Sequence, residues 1–384
     1  MASSQHPQTR RGDADVEVSG IGALILHGDA LSEILLRVQA KPLCRFRAVC
    51  RSWRSVLSAP SFAAAHAARH RDQPLLAVCD RAPGGGGREA AEIKLLDTSG
   101  HVVKRFDAGP WSLLRRLWSS SHLDLVLIIR RVADLDNQHR PMHTRTSFVF
   151  GRATSSSPTG EEGDGEYKVL SLNTPIRPYY GTQQFCKILT VGGGGHGAWR
   201  DAPAPPATIK TFHRGETVVA RGVAYHLVDD SNGWTIAAFD LDAEQWLPDL
   251  LHGPAEPPPV PPAANINSRE RRSLAEVNRC LAAVYSTSSA MDMWLLMGSG
   301  EKAQWCKRCR VLMSFMVKEC HYYWLTPDPV PLWVMDDGRV AFWLRSRVTQ
   351  SGTLWMYDPR TKTCTRLANC LRIGASGYTG NLLR

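Results

Sequence analysis

The sequence lacks any long hydrophobic run. Its longest mainly aliphatic stretch, Leu123 to Ile129, is interrupted by Asp124 and is far shorter than the roughly 20 residues that a membrane-spanning helix needs. The polar segment Met1 to Glu17 has no apolar run after Arg10-Arg11, which argues against a secretory signal peptide and an amphipathic transit helix. These absences predict an intracellular protein of the cytoplasm, the nucleus or both, without membrane association.

Densely spaced cysteines are absent, and lysine is scarce. Ten cysteines are scattered over 384 residues, unlike the dense spacing of small disulfide-rich secreted proteins, so we expect reduced thiols. Only 10 of the 46 basic residues are lysines, and no run of Lys and Arg is long enough for a nucleic-acid-binding arm. We therefore interpret the formal net charge of +10 as dispersed surface charge.

Motifs of catalysis and cofactor binding are also missing. The sequence has no GxSxG, HExxH or Walker pattern. The glycine-rich segment Gly192 to Gly197 lacks the Gly-Lys-Ser/Thr ending of a phosphate-binding loop, and Cys306-x-x-Cys309 lacks a second pair of zinc-ligand spacing, because Cys320 and His321 are adjacent. We expect no catalytic residue, no cofactor and no metal.

What the sequence does contain is an apolar, basic segment from Leu24 to Arg71, with helical spacing. A first helix is expected to begin near Asp29, a capping residue, and a second at Pro42, since proline suits the first helical position. Pro60 should end the helical run before it, and Ser61 should cap a last helix, Phe62 to Arg69. The expected apolar faces are Leu31, Ile34, Leu35 and Val38; Leu43, Phe46, Val49 and Cys50; and Trp53, Val56 and Leu57.

Short helices in fewer than 50 residues bury little surface by themselves. Apolar helical faces of this kind commonly dock on another protein. The segment is therefore predicted to be completed by a partner.

At these residues the segment resembles an F-box. The matching positions, in order, are Leu26, Asp29, Leu31, Glu33-Ile34-Leu35, Arg37-Val38, Lys41, Leu43, Arg45-Phe46-Arg47, Val49-Cys50-Arg51 and Trp53-Arg54. The sequence departs from the family pattern at His27 and Gln39, where prolines are usual.

After Asp72 the pattern changes to short strands separated by Gly, Pro, Asp and Asn. The predicted strands are 75–79, 93–96, 102–106, 123–129, 146–150, 167–172, 185–191, 217–219, 223–228, 235–239, 281–285, 293–297, 310–317, 340–344 and 353–357. Strands at this frequency are typical of a sandwich, a barrel or a propeller.

A weak repeat favours the propeller. An apolar strand ends in an Asp turn and a return strand brings back a tryptophan, as in Ala238 to Trp246 and, with a looser match, Trp355 to Thr363. Trp199, Trp246 and Trp305 have the spacing of propeller blades, which run about 40–50 residues, so residues 73–384 have room for about six.

This region is similar to the F-box-associated, kelch-like regions of plant F-box proteins. The residues that carry the similarity are Tyr167-Lys168-Val169, Trp199-Arg200, Gly222 to Tyr225, Phe239-Asp240, Glu244, Trp246, Leu281, Trp294, Trp305, Tyr357-Asp358-Pro359 and Tyr378. We therefore expect a multidomain α+β chain: a disordered N-terminus (1–20), a helical F-box (21–72) and an all-β, propeller-like domain of roughly six blades (73–384).

The resemblance implies a non-catalytic substrate-recognition subunit of an SCF-type ubiquitin ligase. The F-box would bind a Skp-type adaptor and, through it, a cullin and a RING subunit, while the β-domain would hold an unidentified target protein. The implied adaptor contacts are Leu26, Leu31, Ile34, Leu35, Leu43, Val49, Cys50 and Trp53, some of which must instead pack the helices together.

Two other interpretations stay open at this point. A helix-turn-helix nucleic-acid-binding protein would need a helix face of base-reading side chains, but Val49, Cys50 and Trp53 are interleaved among the arginines. A propeller enzyme would need a metal or cofactor in its channel.

Overall fold

The computed structural model describes residues 28–38, 40–70, 75–81, 90–110, 114–119, 126–130, 144–152, 166–175, 183–191, 197–211, 216–230, 234–255, 271–287, 289–298, 300–313, 328–345, 352–370 and 374–378. The chain forms two compact units that divide between His66 and Ala67. No helix in these ranges is long and apolar enough to cross a membrane.

The first unit contains three short helices and most of a fourth, which runs on past its boundary. They are α1 (Gly28–Leu35), α2 (Ala40–Phe46), α3 (Arg51–Ser58) and α4 (Pro60–Arg69). Ala59 separates the last two with an extended backbone (φ −68°, ψ 131°), as expected for a residue that precedes proline. The last helix begins at Pro60 and not at Phe62, because proline itself fits the first helical position.

The second helix also differs from the prediction. It begins at Ala40, so Pro42 lies within its first turn, where proline still costs no hydrogen bond. It ends at Phe46, and residues 47–49 form a turn that places Val49 outside any helix. Cys50 then caps α3, its Sγ accepting a hydrogen bond from the Trp53 backbone N–H at 3.5 Å.

Side chains from all four helices form one small core. Its buried members are Leu31, Leu35, Leu43, Leu57 and Phe62. The Phe46 and Trp53 rings meet edge to face with centroids 5.5 Å apart.

The second unit is built of antiparallel strands. In chain order they are β1 (Leu75–Arg81), β2 (Ala90–Leu96), β3 (Val102–Pro110), β4 (Leu114–Ser119), β5 (Val126–Arg130), β6 (Thr144–Arg152), β7 (Tyr167–Pro175), β8 (Phe185–Val191), β9 (Arg200–Ala202), β10 (Thr217–Ala220), β11 (Val223–Leu227), β12 (Thr235–Asp240), β13 (Gln245–Trp246), β14 (Leu251–His252), β15 (Arg271–Val277), β16 (Cys280–Ser286), β17 (Ala290–Met297), β18 (Gln304–Leu312), β19 (Asp328–Val334), β20 (Val340–Arg345), β21 (Gly352–Asp358), β22 (Thr363–Cys370) and β23 (Gly374–Tyr378). Every predicted strand overlaps one of these, although 310–317 falls on the end of a strand that begins at Gln304.

The strands form six sheets, numbered here in chain order. Sheet 1 is β23-β1-β2-β3, sheet 2 is β4-β5, sheet 3 is β6-β7-β8-β9, sheet 4 is β10-β11-β12-β13 with β14 also on β12, sheet 5 is β15-β16-β17-β18, and sheet 6 is β19-β20-β21-β22. The first strands of consecutive sheets lie side by side in a closed cycle: β23, β4, β6, β10, β15, β19 and back to β23.

This arrangement is a β-propeller, and the predicted fold class is confirmed. Five of the sheets are blades of four or five strands. Sheet 2 contributes two described strands at its place in the cycle, and the expectation of roughly six blades stays a prediction.

Adjacent blades pack through apolar faces, and sheet 6 shows how the sequence achieves this. Val340, Phe342 and Leu344 on β20 join a core shared with sheet 5. The residues between them, Ala341 and Trp343, join a different core shared with sheet 1. Because side chains alternate between the two faces of a strand, a run of consecutive apolar residues supplies both neighbours.

The propeller closes by pairing the two ends of its chain. β23 runs antiparallel to β1, with Leu75 opposite Tyr378 and Cys79 opposite Gly374. The last strand among the described residues thereby becomes the first strand of sheet 1, and the backbone groups of β1 on that side are hydrogen-bonded.

A truncation that ends the chain after residue 373 should destabilise the propeller markedly. It removes five paired residues and leaves the β1 edge open, at a cost of roughly four or five hydrogen bonds of about 1 kcal/mol each. Thermal unfolding followed by circular dichroism measures the loss. Truncation after Tyr378, which keeps β23, is the matched control; equal midpoints for the two truncated proteins would contradict a stabilising closure.

A fully buried histidine lies within sheet 4. His226 on β11 is 1% exposed and lies beside the Trp246 indole, with ring centroids 5.3 Å apart and ring planes tilted by 55°. Neither ring nitrogen has a hydrogen-bond partner among the described residues. Burial lowers the pKa of His226 from 6.5 to about 3, so the ring is neutral in the folded protein at neutral pH.

This histidine should make the propeller sensitive to acid. Between pH 6.5 and about 3 the unfolded chain binds a proton at His226 that the folded chain does not, so stability falls as the pH falls through that window. The contribution at pH 5 is a loss of about 2 kcal/mol relative to pH 7. Urea unfolding at the two pH values should show a smaller loss for His226→Leu than for the wild type; the same loss in both would exclude His226 as its source.

Candidate functional site

The predicted adaptor-binding residues fall into three groups in the helical unit. Leu31, Leu35 and Leu43 are 7%, 1% and 0% exposed and belong to the core of the unit. Leu26 lies outside the described residues. The other four positions reach the surface to different degrees.

Among the described residues of this unit, Ile34 and Val49 are the exposed large apolar side chains, at 50% and 61%. Ile34 lies on α1 beside the buried Leu35, and Val49 lies in the turn between α2 and α3. Cys50 is exposed, and Trp53 is half-buried against Phe46. Sequence periodicity placed all of these on helical faces, but it did not separate the buried side chains from the exposed ones.

Two arginines of the F-box pattern hold the unit together. The Arg47 Nη2 donates to the Leu57 carbonyl oxygen at 3.0 Å, and the Arg54 Nε donates to the Arg47 carbonyl oxygen at 3.1 Å. His66 Nε2 lies 2.8 Å from the Val38 carbonyl oxygen and ties α4 to the turn after α1. These bonds satisfy carbonyl groups near helix ends, which the helices themselves leave open.

In the propeller, two of the repeated tryptophans make the same contact. Trp246 on β13 donates its indole N–H to the Pro203 carbonyl oxygen at 2.9 Å, and Trp305 on β18 donates to the His252 carbonyl oxygen at 2.7 Å. Each bond joins one sheet to the chain that ends the preceding sheet. Trp199, the third predicted marker, is 44% exposed and lies near Phe148 of its own sheet.

Charged side chains also join sheets 3 and 4. Arg200 binds both carboxylate oxygens of Glu244 at 2.8 Å, and the buried Lys168 Nζ lies 2.9 Å from Glu244 Oε1. The Arg200 hydrogen bond, with support from Lys168, lowers the pKa of Glu244 below its usual range. Glu244 holds this position with a left-handed backbone (φ +56°).

Sheets 5 and 6 are joined in a similar way near the starts of their first strands. The carboxylate of Asp328, 4% exposed, pairs with Arg271 of β15 and with Arg345 of β20, the latter at 3.2 Å. Asn278 bonds the backbone of Val334 on the same neighbouring sheet. Sequence reasoning did not single out these residues, because each partner lies at least 17 positions away along the chain.

The motifs weighed for metal or phosphate binding are only partly described. Cys306 and Cys309 lie on β18, whereas Cys320, His321 and residues 192–196 lie outside the described residues. In the ranges that the structure covers, no three His, Cys, Asp or Glu side chains converge as a metal-binding group.

Comparison with protein families assigns both units. Residues 24–63 match the F-box domain, and residues 162–369 match the F-box associated beta propeller domain, which is more than half of the chain.

A relative of known family is consistent with both family matches. The F-box/kelch-repeat protein At2g43270 of Arabidopsis thaliana is 27% identical over 205 residues, which cover 52% of this chain and 96% of the relative.

Solved structures resemble the chain only distantly. A protein from Lactobacillus plantarum (TM-score 0.28, 13% identity) covers 79% of this chain and 68% of its own. TolB from Acinetobacter baumannii (0.29, 8%) covers 77% and 53%, and a post-proline cleaving enzyme from Rickettsia typhi (0.30, 11%) covers 77% and 43%. At these TM-scores the three structures carry no weight for function.

The F-box match falls on the helical unit, and the longer match falls on the propeller. The sequence motifs indicated the same two domains. The chain therefore belongs to the family of F-box proteins with an F-box-associated β-propeller domain.

Proposed function

We propose that this protein is a substrate-recognition subunit of an SCF-type ubiquitin ligase. Its F-box binds a Skp-type adaptor, which connects it to a cullin and a RING subunit, and its propeller binds a target protein inside the cell. The observation that carries the proposal is the pairing of an F-box with a propeller in one chain.

The helical unit has the surface that an adaptor-binding module needs. Its small core leaves Ile34 and Val49 exposed to water, and apolar side chains of this size are typical anchors at protein interfaces. Ile34, Val49, Cys50 and Trp53 are the predicted contacts that reach the surface. Leu31, Leu35 and Leu43 are buried beneath these residues and pack the helices against one another.

The mechanism is proximity and requires no chemistry from this chain. A target held on the propeller and a ubiquitin-charged enzyme held through the adaptor belong to one complex. The transfer then proceeds at an effective concentration set by the geometry of the assembly and not by free diffusion.

Two arginine side chains argue against the nucleic-acid-binding alternative. Arg47 and Arg54 lie in the basic part of the helical unit, and both donate to backbone carbonyl groups of that unit. A helix that reads bases needs such side chains directed into a groove.

The exposed apolar residues give a sharper test than the buried ones. Ile34→Asp combined with Val49→Asp should weaken capture of a purified Skp-type adaptor at least about tenfold, because two interface anchors become charged. Pull-down or surface plasmon resonance with the full chain measures the effect.

The controls separate binding from folding. Ser55→Asp combined with Ala65→Asp places the same two charges at exposed positions of the same unit and should leave capture within about twofold, as surface substitutions usually do. Leu35→Asp buries a charge in the core and should lose binding together with helical circular dichroism. Wild-type adaptor affinity in the Ile34/Val49 variant, with its fold intact, would refute the proposed F-box surface.

A further inference from the structure

The outer strand of sheet 5 carries an unusual concentration of positive charge. β18 contains Lys307, Arg308 and Arg310 within four positions, and all three are exposed. Among the other described outer strands, β3 has two cations, β9 and β22 have one each, and β13 and β14 have none.

Internal pairing neutralises only part of this charge. The buried Asp292 carboxylate lies 2.9 Å from Lys307 Nζ and 3.7 Å from Arg310 Nε, so one anion is shared between two cations. Lys307 Nζ also lies 5.0 Å from the centre of the Trp294 ring and makes a cation–π contact with it.

The surroundings of β18 are basic as well. Residues 271–313, which contain sheet 5, include seven basic and three acidic residues, a net charge of +4. Residues 216–255, which contain sheet 4, include one basic and seven acidic residues, a net charge of −6. Sheet 5 is therefore basic, whereas the sheet that precedes it is acidic.

Exposed apolar side chains lie at both ends of the strand. Leu312 ends β18 and is 46% exposed. Met297 lies opposite Gln304 at the other end and is 45% exposed. Nine strand residues separate the two ends by about 26 Å, a length that suits an extended peptide segment.

The charges on β18 disfavour two other binding partners, a second copy of the same strand and an unrelated uncharged strand. A second copy of this strand would place cations against cations, which disfavours self-pairing. Cationic residues on edge strands prevent non-specific pairing, and a bulge that leaves Arg308 without a direct partner interrupts the ladder. An acidic segment is the partner for which the same charges are attractive.

We propose that the edge of sheet 5, formed by β18 with Met297, is a docking surface for an extended, carboxylate-rich segment of the target protein with apolar residues near its ends. The proposal deepens the proposed function, on which it rests, by naming the chemistry that the propeller recognises. Lys307, Arg308 and Arg310 supply the charge complementarity, and Leu312 and Met297 supply the apolar contacts.

A model peptide tests this surface on the full-length protein. The probe is a fluorescein-labelled 12-residue peptide of alternating Glu and Val, measured by fluorescence anisotropy at low and high salt. Binding should weaken with salt. Arg308→Glu combined with Leu312→Ser should raise the dissociation constant about tenfold, because a like charge replaces an attractive one.

The controls match the charge change and preserve the fold. Lys362→Glu combined with Val191→Ser makes the same change of charge and also removes one exposed apolar side chain, in the turn before β22 and on β8, and should leave affinity within about twofold. Lys307→Gln, Arg310→Gln and Asp292→Asn together remove the pairing without leaving a buried carboxylate unpaired, and should also weaken binding. Thermal unfolding confirms that each variant is folded.

Several outcomes would overturn the inference. If the edge variant and the control weakened peptide binding equally, the cause would be the net charge of the protein and not the edge of sheet 5. Failure of the Glu-Val peptide to bind, or binding only of a version with phosphoserine in place of Glu, would exclude a carboxylate-rich occupant. Adaptor capture is measured on the same variants, and its persistence would show that the F-box function stands even where the docking surface fails.

Discussion

The apolar character of both faces of sheets 4, 5 and 6 is the constraint on which the packing of the propeller depends. Neighbouring residues of β20 enter different cores, Phe342 toward sheet 5 and Trp343 toward sheet 1. A blade of this kind cannot be stable alone, because either face left in water would expose a row of large side chains. The sheets therefore require neighbours on both sides, and a closed cycle provides them for every sheet. Directional polar bonds, such as those of Trp246, Trp305 and Asp328, add to this apolar packing. Because their geometry is specific, they favour the observed pairing of neighbouring sheets.

The sequence predicted the second and third strands of the blades better than the first strands. Four of the six strands in the central cycle, β4, β15, β19 and β23, were not among the predicted strands. β15 begins with two arginines, β19 contains two prolines, and β23 has glycine at both Gly374 and Gly377, so none has the alternation that marks a half-buried strand. Their structure comes from the partners beside them in the cycle, which a local pattern does not contain. The same limit applies to β23, whose partner β1 lies about 300 positions away.

The helical unit shows the same division between local and tertiary information. Apolar periodicity and Pro60 indicated the helices and one of their breaks, since both depend on residues close in sequence. Which apolar side chains remain in water depended on how the helices pack, so Ile34 and Leu35, adjacent in sequence, have opposite environments. Asp292 is a comparable case in the propeller: its position between Lys307 and Arg310 follows from strand register and was not visible as a motif. Side-chain exposure and cross-strand charge were thus the parts of both candidate surfaces that required a structure.

The pairing of β1 with β23 also sets an order of events during synthesis. β1 leaves the ribosome about 300 residues before its partner, Gly374–Tyr378. At 5–20 residues per second, roughly 15–60 s pass between the two. During that interval the edge of β1 and the apolar residues beside it have no permanent cover, so we expect a nascent chain that relies on chaperones until its final strand arrives. A protein that stops before Gly374 would contain the helical unit but would lack the strand that closes the propeller.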